Sequence, residues 1–180
     1  STAKEIECDT LLLSVGLIPS NELATGASVN LSPITGGAEV DENMMTSVDG
    51  IFECGNVLHV HDLVDFVSKE SEDAGRSAAE YIKSGEVNRD YVDVCGADGV
   101  RYVVPRFLSR DCAAEKIQFK MRVGNVFKNV RLFAEVDGEE IYSKKKQIVT
   151  PGEMESVIFN KDQIGKAVAG KQLRFVLKGE

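Results

Sequence analysis

The pattern of apolar residues changes once along this 180-residue chain, and the change limits the folds available to it. In the first half, short continuous apolar runs such as CDTLLLSVG, typical of strands covered on both faces, are followed by a helical pattern. From about Tyr91 the helical pattern disappears, and short alternating runs follow one another with turn sequences such as DGE and TPGE between them. We therefore predict a region of α/β class at residues 1–88 and an all-β domain at residues 89–180, joined through the polar stretch SGEVNRDYVD.

The clearest single element is an amphipathic helix in DLVDFVSKESEDAGRSAAEYIKSG. The positions expected to face inward are Val67, Ala74, Ala78 and Ile82. The positions assigned to the polar faces are Lys69, Glu70, Glu72, Asp73, Arg76 and Glu80. We expect Asp62 or Asp65 to cap the first-turn amides of this helix, and Gly85 to end it in the left-handed conformation.

The second half contains six or seven predicted strands, a number typical of a small antiparallel sandwich of immunoglobulin-like type. The residues expected to face its core include Leu132, Ala134, Val136, Phe175 and Leu177. The chain has no Trp and no immunoglobulin cysteine pattern, so the prediction concerns the architecture alone.

Composition excludes some classes of function. The formal charge is -8, which disfavours non-specific binding to nucleic acid or to an anionic membrane surface. No apolar run approaches the length of a membrane span and no signal peptide is visible, so we predict a cytoplasmic protein. The cysteines lack the spacing of a metal site. We expect Cys8 and Cys54 to be packed structural thiols, whereas Cys95 and Cys112 could pair or react.

One apolar run has an unusual ending. In TSVDGIFECGN the predicted buried strand at residues 50–54 stops on Gly55 and Asn56. Glycine permits close backbone approach, the Asn56 amide can bind a hydroxyl, and the helix that follows offers free N–H groups to carbonyl or phosphate oxygens. An ordinary turn after a strand would use the same two residue types.

The stretch TSVDGIFECGN resembles the second flavin motif of the pyridine nucleotide-disulfide oxidoreductase superfamily, T-x-x-x-x-[IVY]-[FY]-A-x-G-D. The stretch CDTLLLSVGLIPSNEL is similar to the strand and turn where such chains return from the nicotinamide-binding domain to the flavin domain. The helix containing EDAGRSAA resembles the one whose N-terminus faces the flavin. The resemblance covers about residues 5 to 83.

The resemblance implies FAD as cofactor and NAD(P)H as co-substrate. Carried onto this sequence, it places Gly55 close to the cofactor and Asn56 at a ribitol hydroxyl. It places the backbone amides of Asp65, Phe66 and Val67 near the pyrimidine edge of the flavin. Asn56 stands where the family usually has Asp, so this contact loses charge assistance, worth about 1 kcal/mol. No residue of this chain is assigned a catalytic role.

The Gly-x-Gly-x-x-Gly turns that hold the FAD and NAD(P) phosphates in this superfamily do not occur in the sequence, and neither does its redox-active cysteine pair. We therefore expect the chain to be the C-terminal portion of a longer flavoprotein and to be inactive alone. Its partners would be the missing N-terminal nucleotide-binding segments, or a second copy if strands apolar on both faces remain uncovered. The alternative is a non-enzymatic interaction module whose β-sandwich is the working part.

Two histidines alternate in LHVH. A strand would place the imidazoles of His59 and His61 on one face, as a metal site needs. No cysteine or carboxylate pattern completes a ligand set, so we predict no metal and expect the pair near the cofactor or in a loop.

Overall fold

A computed structural model describes residues 2–179. The helices are α1 (Glu22–Gly26), α2 (Val64–Ser84) and α3 (Lys161–Ala169), and a 3₁₀ turn covers Gly55–Val57. The strands are β1 (Tyr91–Ala97), β2 (Val100–Val104), β3 (Phe107–Ser109), β4 (Lys116–Val123), β5 (Phe127–Val136), β6 (Glu139–Val149), β7 (Glu155–Asn160) and β8 (Gln172–Gly179). A small helical part is thus followed by a strand-rich part, in agreement with the predicted α/β-then-β order.

The strands predicted in the first half are not formed. Residues 2–20 contain neither helix nor strand, and Leu12 and Ile18 are each 90% exposed. Residues 50–54 contribute only an isolated bridge between Met45 and Phe52. The physical reason is that a strand buried on both faces requires neighbouring strands, and none of the described strands pairs with residues 2–20.

The predicted long helix is confirmed as α2. Gly85 ends it with a φ of 66°, in the left-handed region where glycine carries no steric cost. The predicted cap is wrong, because the N-cap residue is Leu63 and no side chain caps that end. The assignment of faces fails at two positions: Ile82 is 82% exposed, whereas Glu70 is buried.

The strand-rich part consists of two sheets. One has the order β3-β1-β8-β5-β6 and the other the order β2-β4-β7. Most neighbours are antiparallel, as predicted, but β1 and β8 pair in parallel, so the larger sheet is mixed. Helix α3, which the sequence analysis did not predict, connects β7 to β8 and begins with a capping box between Asn160 and Gln163. The immunoglobulin-like type stays a prediction.

The core between the two sheets is built from the alternating positions. All five side chains predicted to face inward on β5 and β8 are buried. The rings of Phe119, Phe159 and Phe175 pack around one centre in edge-to-face and tilted arrangements, with centroids 5.0 to 5.9 Å apart. Burial of such large side chains supplies the main favourable free energy of this part of the fold.

The two halves share a second, smaller core. Val104 of β2 packs in the same buried cluster as Val40 and Leu58 from the first half. The backbone N–H groups of Arg106 and Phe107 both donate to the Val40 carbonyl, at 2.9 and 3.2 Å. The boundary at residue 88 stays a prediction. Among residues 2–179, no helix combines the length and apolar character required to cross a membrane.

The cysteines are free thiols. Cys8 is exposed, so its predicted packing as a buried thiol is wrong. Burial raises the pKa of Cys112 to about 11, which keeps this thiol protonated and weakly reactive at neutral pH.

Candidate functional site

The 3₁₀ turn at Gly55–Val57, called the Gly55 turn below, lies directly against α2. Gly55 has a φ of 73°, in the left-handed region. A Cβ atom added at Gly55 would lie 3.2 Å from Val67 Cγ1, closer than side chains normally approach. Glycine therefore serves both the backbone conformation and the close approach at this position. The structure brings together two of the residues singled out from the sequence, Gly55 and Val67.

Asn56 lies on the exposed side of the Gly55 turn. Its Oδ1 accepts a hydrogen bond of 3.1 Å from the backbone N–H of His61. This contact fixes the side-chain amide beside the loop that leads into α2. The contact predicted between Asn56 and a cofactor hydroxyl stays a prediction.

The beginning of α2 is exposed at Asp65 and Phe66, whereas Val67 is half-buried. The amide of Phe66 already donates to the Leu63 carbonyl at 3.1 Å. No side chain among the described residues caps this end, and Asp65 is the carboxylate that the first turn provides against the partial positive charge of the helix start.

Asp62, the other predicted cap, bonds to the strand-rich part of the chain. Its carboxylate accepts from the Arg122 guanidinium at 2.5 Å and from the backbone N–H of Met154 at 2.7 Å. Partial burial alone would raise the pKa of Asp62, but these two donors outweigh burial and lower it. Asp62 thus ties the loop before α2 to β4 and to the turn before β7.

Behind the Gly55 turn lies a buried polar group that we call the Glu70 cluster, formed by Glu70, His59, His61 and Lys120. One carboxylate oxygen of Glu70 accepts from the Gly55 N–H at 2.7 Å and lies 3.0 Å from His61 Nε2. The other lies 2.6 Å from Lys120 Nζ and 3.1 Å from His59 Nε2. The Glu70 side chain is 1% exposed. Its carboxylate therefore has four partners and almost no contact with solvent.

The contacts of the Glu70 cluster determine its protonation. Burial alone would raise the pKa of Glu70, but the hydrogen bonds from His59, His61 and Lys120 outweigh burial and hold the pKa far below its usual range. An ionised carboxylate only accepts hydrogen bonds, so both histidines carry a proton on Nε2. Burial lowers the pKa of His59, which favours its neutral form. The Nδ1 atoms of both rings are buried with no hydrogen-bond partner among the described residues.

His59, His61 and Glu70 also have the composition of a metal site, with ligand atoms within 4.8 Å of one another. The sequence analysis missed Glu70 as a third ligand. Two observations argue against a metal in this arrangement. The Lys120 ammonium, 2.6 Å from Glu70, already supplies the positive charge that a metal ion would bring. Metal-bound imidazoles normally donate their second N–H to a neighbour, and within residues 2–179 neither Nδ1 atom has a hydrogen-bond partner.

Lys120 and Arg122 reach the site because of the strand geometry of β4. Successive side chains of a strand point to opposite faces. Phe119 and Met121 face the sandwich core and are fully buried, so Lys120 and Arg122 face outward, towards α2 and the loop before it. Arg122 additionally donates to the Val60 carbonyl at 3.0 Å.

Sequence reasoning missed Glu70, Lys120 and Arg122. A signal for Glu70 was present, because it follows Val67 by three positions and precedes Ala74 by four, which places it on the inward face of the helix. No comparable signal existed for the two basic residues. Alternation in KIQFKMRV predicts that they leave the sandwich core but not what they contact.

Comparison with known proteins gives a family match for the first part of the chain. Residues 1–74 match the family model described as pyridine nucleotide-disulphide oxidoreductase. The match includes the Gly55 turn and the first half of α2, and it ends before the strand-rich part. Comparisons with curated proteins and with solved structures find no match.

Proposed function

We propose that this chain forms one side of a FAD site in an NAD(P)H-dependent oxidoreductase, because residues 1–74 match the family model of pyridine nucleotide-disulphide oxidoreductases. The observation that carries the proposal is the packing of Gly55 against Val67, which sets the Gly55 turn beside the uncapped start of α2. Both elements lie within the matched segment. A turn and a helix start that converge in this way are suited to binding a polar, partly anionic ligand.

The residues present fit the ribitol chain and the ring edge of a flavin. Asn56 is exposed, and its amide retains hydrogen-bonding capacity beyond the one bond that its oxygen accepts from His61. It would bind a ribitol hydroxyl. The Asp65 amide would face the pyrimidine edge. The N–H of Phe66 already donates to the Leu63 carbonyl, and Val67 is the first residue whose N–H has an intrahelical acceptor, so these two residues would contribute chiefly their positions at the helix start.

The residues present do not provide a complete cofactor site. The sequence lacks the glycine-rich turns that bind the pyrophosphate of FAD and of NAD(P)H. We therefore propose that the nucleotide-binding segments lie elsewhere in the same protein, N-terminal to the piece described, and that this piece alone neither retains FAD nor turns over substrate. The exposed apolar side chains of residues 2–20 support this, since they would be covered by strands from those segments.

A bound flavin would supply the acceptor for hydride from NAD(P)H. The contribution of this chain is to hold and orient that group. The Gly55 turn would position the ribitol, and the partial positive charge at the start of α2 would favour electron density developing at the flavin edge.

The proposal is tested on the full-length protein by its absorbance spectrum. We expect flavin bands that bleach on addition of NADH or NADPH. Asn56→Asp should bind FAD about fivefold more tightly, because the added charge strengthens one hydrogen bond by about 1 kcal/mol, and Asn56→Ala should bind it more weakly. Asn88→Ala is the matched control, since Asn88 also accepts from a nearby backbone N–H, that of Asp90, but lies outside the site.

Two results would contradict the proposal. If the full-length protein neither contains nor binds flavin, the proposed function is wrong. If both Asn56 variants and the unmodified protein bind FAD equally well, the proposed contact between Asn56 and the ribitol is wrong. Flavin retained by the purified 180-residue chain would refute the proposal that this piece alone does not retain FAD. We do not favour the alternative of an independent interaction module, because the sandwich contributes Val104 to a core shared with the first half. The cytoplasmic location stays a prediction.

A further inference from the structure

A continuous set of hydrogen bonds runs from the β-sandwich to the Gly55 turn. Lys120 on β4 contacts one oxygen of the Glu70 carboxylate at 2.6 Å, and the other oxygen accepts from the Gly55 N–H at 2.7 Å. One planar carboxylate therefore joins two elements that lie 65 positions apart in the sequence. Lys120 also lies outside the segment that matches the family model, so its contribution comes from the strand-rich half.

The positive charge of Lys120 keeps Glu70 in place. The Glu70 side chain is 1% exposed, and its other side-chain partners are imidazoles; burial lowers the pKa of His59, which disfavours its charged form. An ionised carboxylate at such a depth without a cationic partner would be strongly destabilised. Glu70 and Lys120 line a cavity of about 400 Å³ between α2 and β4. Without Lys120, the carboxylate has space to turn into this cavity, towards water.

If Glu70 turns away, the Gly55 N–H loses its acceptor. Gly55 is buried and in the left-handed region, where glycine has several accessible conformations and little intrinsic preference. The Gly55 carbonyl accepts from the N–H groups of Leu58 and His59 at 3.0 and 3.1 Å, whereas the hydrogen bond to Glu70 is the contact that fixes the direction of the Gly55 N–H.

We propose that Lys120 is a positioning residue for the flavin-facing turn, acting through Glu70 to fix the Gly55 amide and with it the direction of Asn56. This inference rests on the proposed function for its link to flavin. The strand-rich half is then a working part of the cofactor site.

The experiment uses ¹⁵N-labelled 180-residue chain and NMR spectroscopy. In Lys120→Met, the Gly55 amide resonance should shift and its hydrogen exchange accelerate by at least about tenfold, as expected for a local opening. Lys120→Arg should keep the Gly55 resonance and its hydrogen-exchange rate close to those of the unmodified chain, because arginine retains the positive charge. Lys116→Met is the control, since Lys116 is an exposed lysine on the same face of β4. Glu70→Gln, which keeps the shape of the side chain, should reproduce the effect of Lys120→Met.

The link to flavin is measured by titrating FMN, which carries the ribitol and the ring without the adenylate. In the unmodified chain we expect weak binding that shifts the amide resonances of Gly55, Asn56 and Asp65. Lys120→Met should weaken this binding about fivefold or more, whereas Lys116→Met should leave it unchanged.

The two measurements test the positioning role of Lys120 and the link to flavin separately. If the chemical shift and the hydrogen-exchange rate of the Gly55 amide are unchanged in Lys120→Met, the positioning role is wrong. It is also wrong if Lys120→Arg does not return both values to those of the unmodified chain. Absence of any FMN-induced shift in the unmodified chain overturns the flavin link, while the Gly55 amide still decides whether Lys120 positions the turn.

Discussion

The contacts of the Glu70 cluster predict how much Glu70→Gln lowers the free energy of unfolding. Glu70→Gln replaces a carboxylate that has four partners at 2.6 to 3.1 Å by an amide with a single acceptor oxygen. It also leaves the Lys120 ammonium, 11% exposed, without its counter-charge. Breaking a buried ion pair from one side costs about 3–5 kcal/mol, so we expect a loss of that size in the free energy of unfolding. A loss of this size is a large fraction of the stability of a typical domain.

The pair is best examined by a double-mutant cycle. Lys120→Met alone should cost a similar amount, because it leaves the buried carboxylate without a cation. The double variant should cost less than the sum of the two single variants by at least about 2 kcal/mol, since neither uncompensated charge remains. Urea unfolding followed by far-ultraviolet circular dichroism measures these values, as the chain has no Trp to report by fluorescence.

A surface ion pair on the same helix provides the control. Lys69 contacts Asp73 at 2.9 Å, but both side chains are about half exposed. Lys69→Met should leave the urea midpoint nearly unchanged, because solvent screens such pairs. If the two single losses add up to the double loss within about 0.5 kcal/mol, Glu70 and Lys120 are not coupled and the reasoning about the cluster is wrong.

Three further predictions concern other parts of the chain. Burial lowers the pKa of His59 in the folded chain, so the free energy of unfolding should decrease as the pH falls below about 6.5, where the unfolded chain takes up the proton. In urea titrations, the difference in free energy of unfolding between the unmodified chain and His59→Gln should therefore narrow from pH 7.5 to 5.5. A constant difference would contradict a neutral His59. Gly37→Ala would place a Cβ atom 1.9 Å from the Leu58 carbonyl oxygen; we expect a loss of about 3 kcal/mol in the same assay, whereas Gly75→Ala, with open space around its Cβ and a helical backbone, should gain about 0.5–1 kcal/mol. Leu12→Asp, at an apolar side chain that is 90% exposed, should reduce self-association of the isolated chain in light scattering, and a monodisperse monomer before substitution would refute self-association itself.

The elements that depend on local pattern could be predicted. The spacing of Val67 and Ala74 and the position of Gly85 locate α2 and its end. Alternation on β5 and β8 correctly identifies buried residues such as Leu132 and Phe175. Each of these follows from the repeat of a helix or a strand and requires no knowledge of the neighbouring element.

Elements that require a partner could not be predicted in the same way. The run around Leu12 has the composition of a buried strand, yet it is exposed and unpaired, because strand formation depends on a neighbour that composition does not supply. Helix α3 was missed although Asn160 and Gln163 have the spacing of a capping box. The parallel pairing of β1 with β8 joins distant segments, and no local signal encodes it.

The sequence by itself determined the match of residues 1–74 to the family model, the helix α2 and the inward faces of the sandwich, since these are properties of residues close together in the chain. Only the tertiary structure decided that Glu70 is a buried anion and that Lys120 is its cation. The physical reason is that the ionisation and the partners of a charged side chain depend on what surrounds it in space, and here these surroundings come from opposite halves of the chain.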